Sequence, residues 1–97
     1  MDFLPIVSII KLDNADQEFM ITGYIALDAD NKNIYDYCGC LYPLGVIDSN
    51  KNFLFDRDKI TEVVFKGYES DKSKEMLTDL KEKYTKEKKQ EILDNIK

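Results

Sequence analysis

Side chains that could carry out catalysis are scarce in this chain of 97 residues. Histidine is absent, which removes the commonest general base and the commonest metal ligand. Cys38 and Cys40 are the only cysteines, and two thiolates cannot complete the tetrahedral ligand set of zinc. We therefore expect no Ser-His-Asp or Cys-His centre and no metal site, and we interpret both cysteines as small strand residues.

Two acidic segments resemble known sites but lack essential parts. The segment 28–33 (DADNKN) begins like a calcium loop, yet its sixth residue is Asn33 and its twelfth is Gly39, where such a loop needs glycine and glutamate. Asp56 and Asp58 flank Arg57, but a glycosidase-type carboxylate pair needs a cleft that so short a chain barely provides. The first segment is typical of a turn, and Asp56 of the N-cap of one helical turn over 57–59. The expectation is a protein that is not an enzyme and has no cofactor.

Charge is distributed unevenly along the chain, whose formal net charge is −5. Residues 1–69 contain twelve acidic and six basic residues, whereas residues 70–97 contain eight lysines and seven acidic residues. An acidic body repels phosphate backbones and anionic lipid headgroups, so we expect neither a nucleic acid nor a membrane as partner. Interleaved lysines and acids in the last segment are typical of a solvated helix face.

Targeting signals are not evident. The opening MDFLP has no basic region and too short an apolar run for a signal peptide, and no stretch reaches the roughly 20 apolar residues of a membrane span. Unpaired cysteines fit a reducing compartment. The expected location is the cytoplasm.

Hydrophobic alternation predicts five strands, over 7–12, 18–27, 34–41, 53–55 and 60–68, with turns at 13–16, 28–33 and 48–52. In the second strand, strict alternation places Phe19, Ile21, Gly23, Ile25 and Leu27 on the core face and Tyr24 off it. Val63 and Phe65 are the expected inward residues of the last strand. Short strands joined by tight turns predict an α+β fold: a small antiparallel five-stranded sheet or an SH3-like partial barrel, followed by a C-terminal amphipathic helix.

The helix is predicted from Ser70, as N-cap, through about Tyr84, with a stripe of Met76, Leu77, Leu80 and Tyr84. Beyond it, only Ile92, Leu93 and Ile96 are apolar. We expect one domain over 1–84 and a charged helical tail over 85–97, which either frays or needs a partner to bury those residues.

Tyrosines concentrate around the third strand. Tyr35 and Tyr37 share a face under strict alternation, and Tyr42 stands next to Pro43. Exposed tyrosine is enriched at protein interfaces, but these rings could equally cover a small core. The candidate protein-binding residues, from the strands and the helix stripe, are Tyr24, Tyr35, Tyr37, Tyr42, Met76, Leu80 and Tyr84.

Several segments together resemble one family. They are FLPI at 3–6, ITGY at 21–24, YDYCGCLYPLGV at 35–46 and FDRDKITEVVFKGY at 55–68. The chain is similar, over residues 2 to about 82, to the small Firmicute proteins grouped as domain-of-unknown-function family 4176. The resemblance implies an accessory partner or chaperone of LXG-type toxins exported by type VII secretion, and it supplies no catalytic residues.

Function therefore has competing interpretations. The first is a cytoplasmic binding module for a secreted toxin or a small helical secretion factor, with the acidic body steering a basic partner. The second is an immunity protein that neutralises a toxin. The third is a self-associating structural protein, which would form a homo-oligomer.

Overall fold

A computed structural model describes residues 2–48 and 52–96. Met1, Lys97 and residues 49–51 of the predicted turn over 48–52 lie outside the described residues. A single 3-10 turn over Arg57–Lys59 precedes the last strand. The strands and helices are β1 (Ile9–Leu12), β2 (Glu18–Asp28), β3 (Asn33–Tyr42), β4 (Phe53–Phe55), β5 (Ile60–Phe65), α1 (Asp71–Lys83) and α2 (Lys86–Ile96).

The strands form one open antiparallel sheet in the order β4-β3-β2-β1-β5. β4 and β5 are its two edges, so the sheet does not close into a barrel. The α+β class and the five antiparallel strands are confirmed, with two C-terminal helices following the sheet. Of the two predicted architectures, the structure has the open sheet.

A β-bulge at Thr22 changes which residues of β2 face the core. Ile21 pairs with Gly39 and Gly23 with Cys38, so Thr22 is the extra residue on its strand. One extra residue reverses the alternation of every side chain that follows it. Strict alternation in β2 was therefore wrong for two residues: Tyr24 packs against the core, and Leu27 is 52% exposed. Ile25, whose φ is +52°, packs against the core as expected.

One face of the sheet is covered by the N-terminal segment and the helices. Side chains from all of them form a single apolar cluster of Phe3, Ile10, Ile21, Ile34, Tyr37, Phe55, Leu77 and Tyr84. Leu80, Ile92 and Leu93 of the two helices pack against this cluster, half-buried. β5 is an edge strand, and of its residues Ile60 packs against the cluster. Val63 pairs with the core residue Ile10 but is 46% exposed at this edge, and Phe65 is 55% exposed, so the prediction that both are core residues was wrong.

The helices begin where the sequence provides caps. Ser70 accepts a hydrogen bond from the Ser73 backbone N–H at 3.1 Å, and the Ser73 hydroxyl accepts one from the Ser70 N–H at 2.9 Å. This reciprocal capping box fixes the start of α1. The Thr85 hydroxyl accepts from the Lys88 N–H at 3.2 Å and starts α2. Fraying of residues 85–97 in solution stays a prediction.

The N-terminal segment reaches β1 through a tight turn. The Pro5 carbonyl accepts hydrogen bonds from the Ser8 N–H at 3.3 Å and from the Ser8 hydroxyl at 2.6 Å. Val7, third in this turn, has φ +74°, a left-handed conformation that suits glycine and strains a β-branched residue. The Ser8 hydroxyl also accepts from the Gly67 N–H at 2.9 Å, which joins the turn to the chain beyond β5.

Candidate functional site

Two tyrosines hold the backbone of one N-terminal residue. Tyr24 and Tyr37 are cross-strand neighbours on β2 and β3. The Tyr37 hydroxyl accepts from the Leu4 N–H at 2.7 Å, and the Tyr24 hydroxyl donates to the Leu4 carbonyl at 2.5 Å. Burial raises the pKa of Tyr24 to about 12 and also raises the pKa of Tyr37, so both hydroxyls stay protonated in neutral solution. We call this pair the tyrosine clamp.

The ring of Phe3 lies in an aromatic enclosure beside the clamp. It makes edge-on contacts with Tyr24, Tyr37 and Tyr84, with centroids 5.6 to 6.5 Å apart. The Arg57 guanidinium lies over its face, 4.1 Å from the centroid, in a cation–π contact. These tyrosines are therefore committed to binding the chain's own N-terminal segment.

Asp36 on β3 and Asp56 before the 3-10 turn connect these two segments, because each carboxylate accepts a hydrogen bond from a backbone N–H of the other segment. The Asp36 carboxylate accepts from both the backbone N–H and the Nε of Arg57, at 2.9 and 3.0 Å. The Asp56 carboxylate accepts from the Asp36 N–H at 3.0 Å and makes no cap bond to the turn, although Asp56 occupies the N-cap position. The capping role expected of its side chain was wrong, because the carboxylate accepts from the Asp36 N–H of β3 instead. The network fixes Arg57 above Phe3.

Tyr84 closes the core at the junction of α1 and α2. It is 7% exposed, and its hydroxyl has no hydrogen-bond partner among the described residues. Burial, followed by the charges of Asp36 and Asp56, raises its pKa to about 12. Tyr84 also borders a cleft of about 310 Å³. Carboxylates and cations share its walls, which are formed by Asp36, Asp56, Arg57, Asp58, Tyr84, Thr85, Lys86 and Lys89.

The uncovered face of the sheet carries an apolar groove of about 470 Å³. Ile9 and Met20 alternate with the core residues Ile10 and Ile21, so they point to this second face. We call this surface the outer groove. Its walls are Val7, Ile9, Glu18, Met20, Tyr42, Val64 and Phe65.

Irregular pairing of β5 widens the apolar part of the outer groove. Ile9 pairs with Phe65 and Ile10 with Val63, so Val64 is an additional residue in the ladder. A bulge lets two consecutive side chains, Val64 and Phe65, line the same groove. The same irregularity interrupts the regular edge that another strand would need for pairing. This arrangement favours a partner that binds to the outer groove on the face of the sheet over one that pairs with the edge of β5.

An exposed apolar loop continues from the outer groove. Tyr42, at the end of β3, lines the groove, and the chain then turns back through a bridge between Leu41 and Gly45. Leu44 and Ile47 are both 69% exposed, and Val46 is also exposed. Exposed apolar side chains clustered in this way indicate a protein-contact surface.

Accessibility divides the seven predicted binding residues. Tyr42 and Met76 are exposed, and Tyr35, Tyr24 and Leu80 are half-buried. Tyr37 is fully buried and Tyr84 nearly so, hence neither ring offers a free contact surface, contrary to the expectation. The structure brings Tyr24, Tyr37 and Tyr84 together around Phe3. Tyr42 lies apart from them on the outer groove, and partner binding by any of the seven stays a prediction.

Sequence reasoning missed the larger part of the outer groove. Val64 was not singled out, and Phe65 was assigned to the core, because strict alternation does not allow for the bulge in β5. The available signal was the unbroken apolar run 63–65 at the end of the chain's last strand. Such a run fits a strand with apolar contacts on both faces.

Among the described residues, no group of three or more histidine, cysteine or acidic side chains could hold a metal ion. Cys38 and Cys40 are both free thiols; Cys38 is half-buried and Cys40 buried. No helix within residues 2–48 and 52–96 has the length and apolar character to cross a membrane.

A model of the family described as Domain of unknown function (DUF4176) matches residues 3–76. The match includes the whole sheet, the tyrosine clamp and the outer groove, and it ends within α1. No curated protein and no solved structure matches the chain.

Proposed function

This chain belongs to the family described as Domain of unknown function (DUF4176), and we propose that it is a non-catalytic accessory factor that binds another protein through the outer groove. One observation carries the proposal: the sheet is covered by helices on one face only, while the other face presents an apolar groove. An apolar groove next to an exposed apolar loop is what a protein partner buries on binding.

The partner that fits is a protein segment with an apolar side flanked by lysine or arginine. Residues 1–69, which include the whole sheet, have twice as many acidic as basic residues, and Glu18 lies in the groove wall. Such a surface attracts a basic partner and speeds its association. The resemblance to Firmicute type VII accessory proteins supports a secreted LXG-type toxin or a small helical secretion factor, held in the cytoplasm before export.

Helix α1 offers the competing surface. Met76 is 45% exposed on α1, on the covered side of the sheet, and Tyr35 is half-buried on β3. Substitutions on the two surfaces therefore separate the hypotheses. Val64→Lys places a charge in the outer groove, and Met76→Lys places the same charge on α1 at a residue of similar exposure.

The test begins with a tagged protein recovered from its native host, with the bound protein identified by mass spectrometry. That protein is then co-purified with this chain, and the dissociation constant is measured for wild type, Val64→Lys and Met76→Lys, each shown to be folded by circular dichroism. We expect Val64→Lys to weaken binding at least about tenfold, Met76→Lys to leave it unchanged, and higher salt to weaken it. Equal affinities for the three proteins, or an absent partner, would refute the outer groove as the binding surface.

Two measurements separate the alternatives. Protection of cells that express the toxin domain alone would identify an immunity protein, because an export partner gives no such protection. A homo-oligomer that forms in place of the complex with the partner, seen by light scattering as a multiple of 11.3 kDa, would point to a self-associating structural protein. Neither protection of such cells nor loss of the partner complex is expected from an accessory factor that binds another protein through the outer groove.

A further inference from the structure

The N-terminal segment is bound to its own chain in the way that an extended peptide is bound in a groove. The tyrosine clamp engages both the N–H and the carbonyl of Leu4, while Phe3 inserts into the aromatic enclosure under Arg57. Nearly all of these contacts are with residues far away in the sequence. The recognition therefore does not require that the segment and the groove belong to the same molecule.

The connection between the segment and β1 is strained. Val7 holds φ +74°, where the Cβ of a β-branched residue is crowded by its own backbone. The turn also packs closely against Gly67, where a Cβ would lie 2.2 Å from the Ile6 carbonyl oxygen. A short strained hinge is the feature that favours exchange of a terminal element between two copies, since an extended hinge releases the strain.

The segment is open to solvent along one side. A cleft of about 680 Å³ separates it from α1, with Asp2, Phe3 and Leu4 on one wall and Leu77 and Lys81 on another. The ion pair between Asp2 and Lys81 crosses this space on exposed side chains, which contribute little to holding the segment. The Phe3 ring itself is 5% exposed, so exchange has to release this ring from the core.

We propose that residues 2–6 exchange between two copies of this chain, with Val7 as the hinge. Each copy places its Phe3 and Leu4 in the enclosure and tyrosine clamp of the other, and Val7 becomes extended. Every contact of the segment is made again across the two chains, and only the turn from Pro5 to Ser8 opens. The segment from the second copy fits the site, because it has the same residues that fill this site in a single copy.

The test compares wild type with Val7→Gly and Ile6→Ala by light scattering, at increasing concentrations up to about 1 mM. Val7→Gly relaxes the turn and so favours the monomer, whereas Ile6→Ala removes apolar surface from a residue equally exposed, at 49%, and leaves the hinge unchanged. We expect a concentration-dependent dimer for wild type and Ile6→Ala. The dimer dissociation constant of Val7→Gly should be at least about tenfold higher.

A second measurement identifies the exchanged segment directly. Isotope-filtered NMR on a dimer of labelled and unlabelled chains should show contacts between the Phe3 ring of one copy and the Tyr37 and Tyr84 rings of the other. A monomer throughout the concentration range, an equal dissociation constant for Val7→Gly, or Phe3 contacts confined to one chain would each overturn the exchange. Val7 lines the outer groove and Ile6 does not, so binding of a different partner there is compared between wild type and Ile6→Ala.

Discussion

Removing one hydroxyl group should change stability in opposite directions at Tyr37 and Tyr84. Both rings contact Phe3 in the core, and phenylalanine at either position keeps the aromatic packing. The Tyr37 hydroxyl accepts a hydrogen bond from Leu4 at 2.7 Å, whereas the Tyr84 hydroxyl is buried with no partner within the described part of the chain. The two substitutions therefore differ only in whether the hydroxyl group that is removed has a hydrogen-bond partner.

The magnitudes follow from these two environments. Tyr37→Phe leaves the Leu4 N–H without its acceptor, which should lower the free energy of unfolding by about 1.5 kcal/mol. Tyr84→Phe removes a polar group that is already unsatisfied, so the free energy of unfolding should stay equal or rise by up to about 1 kcal/mol.

Urea unfolding followed by circular dichroism measures both effects. With a slope of roughly 1–1.5 kcal/mol per molar for a chain of this size, Tyr37→Phe should lower the midpoint by about 1 M, and Tyr84→Phe should leave it or raise it. Tyr68→Phe is the control, since Tyr68 is 83% exposed and should give no change. A midpoint lowered equally by Tyr37→Phe and Tyr84→Phe would show that the reasoning about hydrogen bonding in this core is wrong.

Three further predictions concern the N-terminal turn and the buried phenols. Val7→Gly should raise the free energy of unfolding by about 1 kcal/mol, seen as a melting temperature higher by about 4–8 °C, because glycine adopts φ +74° without strain. Gly67→Ala should lower the free energy of unfolding by at least about 2 kcal/mol in urea titration, since its Cβ meets the Ile6 carbonyl oxygen; an unchanged midpoint would contradict this contact. In alkaline titration, the stabilisation that depends on the protonated Tyr84 hydroxyl should be complete below pH 10 and lost as the pH rises toward 12. Burial raises the pKa of Tyr84 from 10.0 to about 12, so this residue loses its proton in the unfolded chain at a lower pH than in the folded protein. The Tyr84 contribution is at most about 3 kcal/mol, and it should be missing from the pH profile of Tyr84→Phe.

The parts of the fold that sequence predicted are those specified locally. The strands, the turns around residues 13–16 and 28–33, and the start of α1 at Ser70 follow from alternation and capping, which depend on neighbouring residues. The bulge at Thr22 depends on pairing between β2 and β3, so its effect on Tyr24 and Leu27 was not available from alternation. Long-range pairing likewise decided that the sheet stays open.

The candidate site was predicted less well, for a related reason. Tyrosines were chosen for their chemistry, yet whether a tyrosine binds a partner or the chain itself depends on what covers it. Phe3 and Leu4 cover Tyr37, an interaction across more than thirty positions that no local pattern reveals. Tyr42, one of the candidate binding residues, is exposed, whereas the groove beside it depends on the irregular ladder of β5.

The order in which the ribosome makes the chain bears on the N-terminal segment. Phe3 emerges before its partners in the enclosure, which include Arg57 and Tyr84, more than fifty residues later in the chain. Throughout that interval the aromatic ring of Phe3 has no complete docking site and stays available to other molecules. On a polysome, where neighbouring nascent chains are close together, the first completed enclosure that Phe3 meets can belong to another chain. The rate of synthesis and the number of ribosomes on each mRNA would then influence the fraction of molecules that leave the ribosome as exchanged dimers.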